Sequence, residues 1–280
     1  MSTELASGHA LGYDRRMYPV LLELGPFTIY SYGVMMALGF VAAAWLLGKG
    51  LAYQGRNPDL ASTLVLWAAI GGLIGARLLF ILGNWSAFLA DPWALLFTGA
   101  GFVWHGGLIG GTVGVSVCIR HYKLPWRETM DAIAPAIALG HGTGRIGCQL
   151  AGDGDWGPPT DLPWGMAYPD AIVGWDYPPD VFVHPTPLYE LAAYFAIAAV
   201  LWNRRTAGYH PGSLFWGYLL LAGIARFFLE FVRVNPPLWG AFSQAQVISI
   251  GLMLVGASLL FKSGQHGRVP AVHNTLEKSR

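Results

Sequence analysis

Residues 138–157 read ALGHGTGRIGCQLAGDGDWG, an apolar and glycine-rich run that ends in two aspartates. The run begins with the pattern of a membrane helix and then places Arg145 among glycines, close to Cys148. A charged side chain within a membrane segment is costly, so its presence there indicates a functional site. The stretch therefore predicts a membrane helix that carries a functional arginine near its end.

The composition indicates an integral membrane protein. Of the 280 residues, 54% are hydrophobic and only 12% are charged, whereas about 25% are charged in a typical soluble domain. Glycine (37) and tryptophan (12) are frequent, as expected where helices pack closely in lipid and rings lie at the interface. The net charge of +1 provides no electrostatic basis for nucleic-acid binding, and two cysteines are too few for a disulfide framework.

Seven apolar runs are long enough to cross a hydrocarbon core of about 30 Å. They predict an all-α, polytopic membrane protein that forms one domain over residues 1–280, with a long loop at 152–185 between the fourth and fifth helices. The runs cover residues 30–49, 61–82, 101–119, 130–151, 186–202, 212–230 and 244–262.

The lysines and arginines are divided unevenly between the loops. Eleven of the seventeen lie on one side, in the loops near 50–60, 120–129 and 203–211 and in the C-terminal tail, whereas loops 83–100 and 152–183 contain none. The positive-inside rule then predicts an outer N-terminus and an inner C-terminus. In that orientation Arg77, Arg145 and Arg226 all lie toward the outer ends of their helices, and His105 and Tyr32 begin theirs on the outer side. The sequence therefore predicts a site at the outer face.

Two further motifs place polar groups on helices. His105 precedes glycines that repeat every four residues, a pattern of close helix packing. The histidine could bind a ligand, act as a base near neutral pH, or simply bond to a carbonyl. Glu190 lies inside an apolar run without a cation at i+4, so it needs a partner on another helix. Arg77, Arg145 and Arg226 are the candidates.

Charged residues also cluster at the end of the sixth helix and after the fourth. Arg226, Glu230 and Arg233 have the spacing of one helical face, which suits either a structural ion-pair ladder or an anion site. Asp153 and Asp155 alternate with glycines and could bind a cation, orient an arginine or form a wet turn, although the spacing is not that of a calcium loop. Cys148 could be a nucleophile, but without a partner at a motif spacing it is interpreted as a small buried residue.

Six motifs in order resemble those of the prolipoprotein diacylglyceryl transferase family, and the resemblance runs from about residue 20 to 262. The family often has asparagine at the positions of Cys148 and near Ala151, a single acid in place of Asp153 and Asp155, and a tyrosine at Ala222. The matching motifs are Ser31-Tyr32-Gly33, Gly75-Ala-Arg77, His105-Gly-Gly-Leu-Ile-Gly, Gly144-Arg145-Ile-Gly, His184-Pro-Thr-Pro-Leu-Tyr-Glu190 and Arg226-Phe-Phe-Leu-Glu230-Phe-Val-Arg233.

The resemblance implies transfer of the diacylglyceryl group of phosphatidylglycerol to the lipobox cysteine thiol of a prolipoprotein, with release of glycerol phosphate. It implies a multi-pass protein of the bacterial cytoplasmic (inner) membrane, in contact with membrane lipids, whose active site faces the outer leaflet and which uses no metal or other cofactor. His105 would act as the base or orient the head group, and Arg145 and Arg226 would stabilise the developing phosphate charge. The implied phosphatidylglycerol contacts are Arg145, Arg226, Tyr32, Arg77, Glu190, Glu230, Arg233, Asp153 and Gly157.

Two other functions fit parts of the pattern. A transporter for an anionic solute would also use buried arginines, but its site should lie near the bilayer midplane and often shows an inverted repeat. Here the cations lie toward one face and the sequence shows no repeat. A lipid-binding paralogue without activity would be consistent with the departures at Cys148 and Ala222.

Overall fold

The computed structural model describes residues 17–97, 101–178, 180–206, 208–240 and 242–263. Within these ranges the chain is mostly helical, with two small antiparallel hairpins. The elements are β1 (Val20–Leu24), β2 (Phe27–Tyr30), α1 (Ser31–Tyr53), α2 (Leu60–Gly83), α3 (Trp85–Ala90), α4 (Pro92–Phe97), α5 (Trp104–His121), α6 (Trp126–Ala151), α7 (Thr186–Arg204), α8 (Ser213–Leu229), a 3-10 turn (Glu230–Val232), β3 (Pro237–Trp239), β4 (Phe242–Ser243) and α9 (Gln244–Ser263).

Each of the seven predicted runs coincides with one long helix in the described part of the chain. The main differences are that α1 continues to Tyr53 and that α6 already begins at Trp126. The expectation of an all-α fold is right in that helices dominate, but the sequence patterns did not reveal the two hairpins or the short helices α3 and α4. Several cations used to assign the orientation lie outside the described residues, namely Arg15, Arg16, Arg268, Lys278 and Arg280.

The surface of the helices is that of a membrane protein. Four helical segments are long and apolar enough to cross a membrane by length and composition: α1, α2, α8 with its following turn, and α9. Large apolar side chains such as Trp45, Leu73 and Leu254 are exposed on these helices, where lipid would cover them. The other three long helices carry more polar residues, and α6 has many of its side chains buried inside the bundle.

Glycines bring two helix pairs into backbone contact. A Cβ built on Gly75 of α2 would lie 2.9 Å from the Cα of Gly110 of α5, and one built on Gly39 of α1 would lie 2.9 Å from the carbonyl oxygen of Gly140 of α6. Any larger residue would force the helices apart, because real Cβ atoms do not approach so closely. The second contact matters for the site, since it fixes α6 one turn before Arg145.

A buried carboxylate joins α6 to α8 at the end of α6 opposite Arg145. Asp131 is 1% exposed and accepts backbone hydrogen bonds from Gly212 (2.5 Å), Leu214 (2.8 Å) and Phe215 (3.0 Å). These N–H groups begin α8 and have no partner within that helix, so the carboxylate caps it. The contact sets the relative position of the two helices that carry Arg145 and Arg226.

Candidate active site

Glu190 is the centre of a charged cluster. Its side chain is completely buried near the start of α7, and three arginines from other elements face it. The Oε2 atom lies 2.5 Å from Nε of Arg145 on α6. The Oε1 atom lies 3.0 Å from Nη1 of Arg233 and 4.0 Å from Nη1 of Arg226. A buried carboxylate without partners would be strongly destabilising, so these cations explain how an acid is tolerated here.

Asp155 connects the loop after α6 to the same arginines. Its carboxylate forms ion pairs with Arg145 and Arg233, and its backbone carbonyl accepts a hydrogen bond from the hydroxyl of Thr186. Burial raises the pKa of the Asp155 carboxyl, but the two guanidinium groups outweigh this effect and hold the pKa below its usual range. Asp155 is therefore ionised at neutral pH and ties the loop to α6 and α7.

Glu230, directly after α8, holds Arg226 and Arg233 in place. Its Oε2 atom lies 2.6 Å from Nη1 of Arg226 and 3.9 Å from Nε of Arg233, as the spacing in the sequence suggested. Its Oε1 atom accepts hydrogen bonds from Oγ of Ser243 at 2.5 Å and from Nδ2 of Asn235 at 2.8 Å. These polar contacts fix the carboxylate and, through it, the two guanidinium groups.

The cluster has the composition of an anion site. The guanidinium-bearing side chains of Arg145, Arg226 and Arg233 are 18%, 23% and 10% exposed, so each retains some free surface. Three carboxylates, from Asp155, Glu190 and Glu230, balance their charge and hold them in place. Guanidinium groups fixed in this way suit phosphate recognition, because their donors are already oriented and remain charged when partly buried.

His105 and Arg77 have their contacts elsewhere among the described residues. The Nε2 atom of His105 lies 3.4 Å from Nε2 of Gln244 at the start of α9. Arg77 donates hydrogen bonds to the carbonyl oxygens of Gly101 (3.2 Å) and Leu96 (3.1 Å). Of the three cations considered as partners for the buried glutamate, the structure thus brings Arg145 and Arg226 to it and places Arg77 with the loop before α5.

Tyr32 and Gly157 border the cluster through the backbone. A Cβ on Gly147, two residues after Arg145, would lie 3.3 Å from the Cα of Tyr32, so the start of α1 packs against this turn of α6. The N–H of Gly157 donates to the carbonyl of His184 at 2.8 Å, and a Cβ there would lie 2.8 Å from the Cβ of His184. Only glycine fits at this junction between the loop and α7.

Cys148 has the surroundings of a buried residue and not of an activated nucleophile. Its sulfur lies 3.4 Å from Nη1 of Arg145, and its other close groups are Asp153 and Asp155. The ligand atoms of these three residues lie within 4.8 Å of one another. The Asp155 carboxylate, however, is already paired with two arginines, which leaves it poorly suited to a metal ion.

Sequence reasoning missed His141. It lies on α6 one turn before Arg145, and its Nε2 atom is 3.8 Å from Oε2 of Glu190. Its ring stacks on that of Tyr194 of α7, with centroids 3.7 Å apart and an interplanar angle of 10°. The i, i+4 spacing from His141 to Arg145 was the available signal, because such pairs share one helical face.

Comparisons with known proteins all indicate the same family. A family model described as prolipoprotein diacylglyceryl transferase matches residues 19–262. The phosphatidylglycerol–prolipoprotein diacylglyceryl transferase of Clostridium tetani is 35% identical, over 86% of this chain and 95% of the relative. The enzymes of the same name from Halalkalibacterium halodurans and from Nostoc sp. are each 33% identical, over 86% and 87% of this chain and 84% and 89% of the relatives.

Proposed function

Because the chain belongs to the prolipoprotein diacylglyceryl transferase family, we propose that it transfers the diacylglyceryl group of phosphatidylglycerol to the lipobox cysteine thiol of prolipoproteins. The chain is a transferase of lipoprotein biosynthesis, and the second product would be glycerol phosphate. The observation that carries the proposal is the cluster in which the buried Glu190 meets Arg145, Arg226 and Arg233. This arrangement suits a phosphate group better than any neutral substrate.

The chemistry requires charge stabilisation at the phosphate. The thiol sulfur forms a bond to the glyceryl carbon, the bond from that carbon to the phosphate oxygen breaks, and the electron pair remains on the oxygen. The phosphodiester thereby becomes a monoester, and charge grows on its oxygens. Arg145 and Arg226, supported by Arg233, would stabilise that charge, and Glu190 and Glu230 would hold the guanidinium groups in place beforehand.

The thiol also has to lose its proton, because a free cysteine with a pKa of about 8.5 is only slightly ionised at neutral pH. We propose that His105 accepts this proton or orients the head group. Its side chain is only partly buried at the start of α5. Tyr32, Arg77, Asp153 and Gly157 are proposed as further contacts of phosphatidylglycerol. Tyr32 and Gly157 border the arginine cluster, which supports their part of this proposal.

The same proposal includes the topology. One domain would cross the bacterial cytoplasmic membrane seven times, with an outer N-terminus, an inner C-terminus and the active site toward the outer leaflet. The seven long helices support this number, and the uneven distribution of lysine and arginine supports the orientation. The names of the relatives do not favour a transporter or a non-catalytic lipid-binding paralogue.

A transfer assay tests the proposal directly. The purified chain in detergent micelles is mixed with phosphatidylglycerol and a lipobox peptide, and the thioether product is measured by mass spectrometry. The expected result is a peptide heavier by one diacylglyceryl group, formed together with glycerol phosphate. The Clostridium tetani relative serves as the positive control for the peptide. No product from this chain with a peptide that the relative modifies would overturn the proposal.

A further inference from the structure

A cavity lies beside the arginine cluster, between the turn after α8 and the β3–β4 hairpin. Its volume is about 310 Å³, which is within the range of small-ligand sites. Glu230 forms part of its wall, and the same carboxylate lies 2.6 Å from Nη1 of Arg226. Through Glu230 this hairpin cavity adjoins the proposed phosphate site. Its other walls include Phe231, Asn235, Pro237, Ser243 and Gln246.

The amide of Gln246 offers a free hydrogen-bond donor at the cavity. The residue is only 4% exposed, and its Oε1 atom accepts the backbone N–H of Ser243 at 3.0 Å. A backbone N–H can only donate, so the amide oxygen has to face it and Nε2 has to face away. Within the described part of the chain, no hydrogen bond involves this Nε2 atom. An unsatisfied donor on a buried side chain costs free energy, and an acceptor bound in the cavity would recover it.

Asn235 supplies an acceptor at the same cavity. Its Nδ2 atom donates to Oε1 of Glu230 at 2.8 Å, and no described residue donates to its Oδ1 atom. The Glu230 carboxylate is already occupied, because it also accepts from Oγ of Ser243 and pairs with Arg226. The hairpin cavity therefore presents one free donor and one free acceptor, and its carboxylate is neutralised by an arginine.

We propose that the hairpin cavity binds the glycerol head group of phosphatidylglycerol and that Gln246 is a specificity-determining residue. A hydroxyl group both donates and accepts, so the two hydroxyls of this head group match Nε2 of Gln246 and Oδ1 of Asn235. The head group is esterified directly to the phosphate, so it lies next to the arginines when they hold that phosphate. The ammonium of an ethanolamine head group would find the Glu230 carboxylate already paired. The inference rests on the proposed function, which supplies the phosphate position.

The test compares two lipids that differ only in the head group. Phosphatidylethanol has the same diacylglyceryl group and the same phosphodiester charge as phosphatidylglycerol, but its head group has no hydroxyl. Transfer from each lipid to the lipobox peptide is measured in detergent micelles, and the two kcat/KM values are expressed as a ratio. For the wild type we expect a ratio of about tenfold to a hundredfold in favour of phosphatidylglycerol, as for two hydrogen bonds. A ratio near one would overturn the inference.

Gln246→Leu removes the donor and should lower this ratio by about threefold to tenfold. The exchange also removes the acceptor of the Ser243 N–H, but a general disturbance of the site lowers kcat/KM for both lipids alike and leaves the ratio unchanged. The matched control is Gln54→Leu. Its amide donates to the carbonyl of Glu128 at 2.7 Å, at the end of α6 away from Arg145, so this variant should keep the wild-type ratio. A wild-type ratio in folded Gln246→Leu would overturn the inference.

A second variant tests the cavity if Gln246→Leu does not fold. Asn235 is exposed, so Asn235→Ala should fold, and loss of the acceptor should lower the ratio by a similar factor. A wild-type ratio in this variant would also overturn the inference. If the wild type transfers from neither lipid, the proposed function fails. Binding of the two lipids to the wild type and the variants, measured by native mass spectrometry, then tests the head-group site on its own through the ratio of the Kd values.

Discussion

The two ends of α6 each bury a carboxylate, but they stabilise it in different ways. Asp131 at one end accepts three backbone N–H groups at the start of α8. Glu190, beside the other end, is held by the side chains of Arg145, Arg226 and Arg233. Backbone donors at a helix start are committed to the cap, whereas the guanidinium side chains are 18%, 23% and 10% exposed and so retain some free surface. The same physical problem therefore has a purely structural solution at one end, and at the other a solution that we propose also serves the reaction.

The largest expected effect is that of Arg145→Ala, at the end of α6 beside Glu190. Removing this guanidinium takes away one fixed donor to the developing phosphate charge, so kcat/KM should fall by about a hundredfold to a thousandfold. Steady-state transfer from phosphatidylglycerol to a lipobox peptide measures the change. The matched control is Arg56→Ala, which removes an arginine paired with Glu128 at 2.5 Å far along the chain from the cluster.

The control should keep activity within about twofold, as expected for a surface ion pair. If Arg145→Ala remained as active as Arg56→Ala, the contrast between the two ends of α6 would have no catalytic meaning.

His105→Ala should have the next largest effect. If this histidine accepts the thiol proton, kcat should fall by about a hundredfold, and KM for phosphatidylglycerol should change much less. Raising the pH toward the pKa of the thiol should restore part of the rate, because the peptide then ionises without a base. The control is His121→Ala in the last turn of the same helix. A rise in KM for phosphatidylglycerol without a fall in kcat would show that His105 orients the head group and does not accept the thiol proton.

The long helices and the presence of a charged site could be predicted from the sequence, because both are local signals. Apolar runs of about twenty residues have few alternatives to a helix, and the i, i+4 spacing of Arg226 and Glu230 implies their contact. Glu190 inside an apolar run implies a cation on another helix. Which cation it meets depends on how the helices pack, so Arg77 remained a candidate until the structure placed it near Gly101.

The parts that were missed have weak local signals or none. The β1 and β2 strands are short and carry exposed apolar side chains on both faces, so no alternation marks them. His141 sits in a helix that reads as apolar and glycine-rich. Its significance comes from Glu190 and Tyr194 on another helix, about fifty residues further along the chain. Long-range contacts of this kind follow from packing and not from local sequence pattern.

The comparison of the two carboxylates can be tested with amide substitutions. Glu190→Gln leaves three arginines with two carboxylates and removes the group that holds Arg145, so kcat/KM should fall by about tenfold. Asp131→Asn turns an acceptor of three N–H groups into a side chain that also donates. It should lower the free energy of unfolding by about 1–3 kcal/mol and change kcat/KM of the folded protein by less than about twofold.

Transfer assays on the folded fraction and thermal unfolding of both variants measure these quantities. An equal loss of activity in the two variants would mean that the Asp131 carboxylate also controls the site.

The smallest effect is expected for Asp155, whose carboxylate is 30% exposed. Its pKa is held below the usual range by Arg145 and Arg233, so its contribution to stability is present above the unfolded pKa of about 3.9 and is lost as pH falls through the lower folded value. Asp155→Asn should therefore lower the unfolding temperature at pH 7 by about 2–4 °C, the equivalent of about 1 kcal/mol. As pH falls through the folded pKa, the wild-type carboxylate is protonated and loses the same contribution. The difference in unfolding temperature between the wild type and the variant should therefore shrink. A difference in unfolding temperature that stayed constant below the folded pKa would show that Asp155 stabilises the loop by its shape and not by its charge.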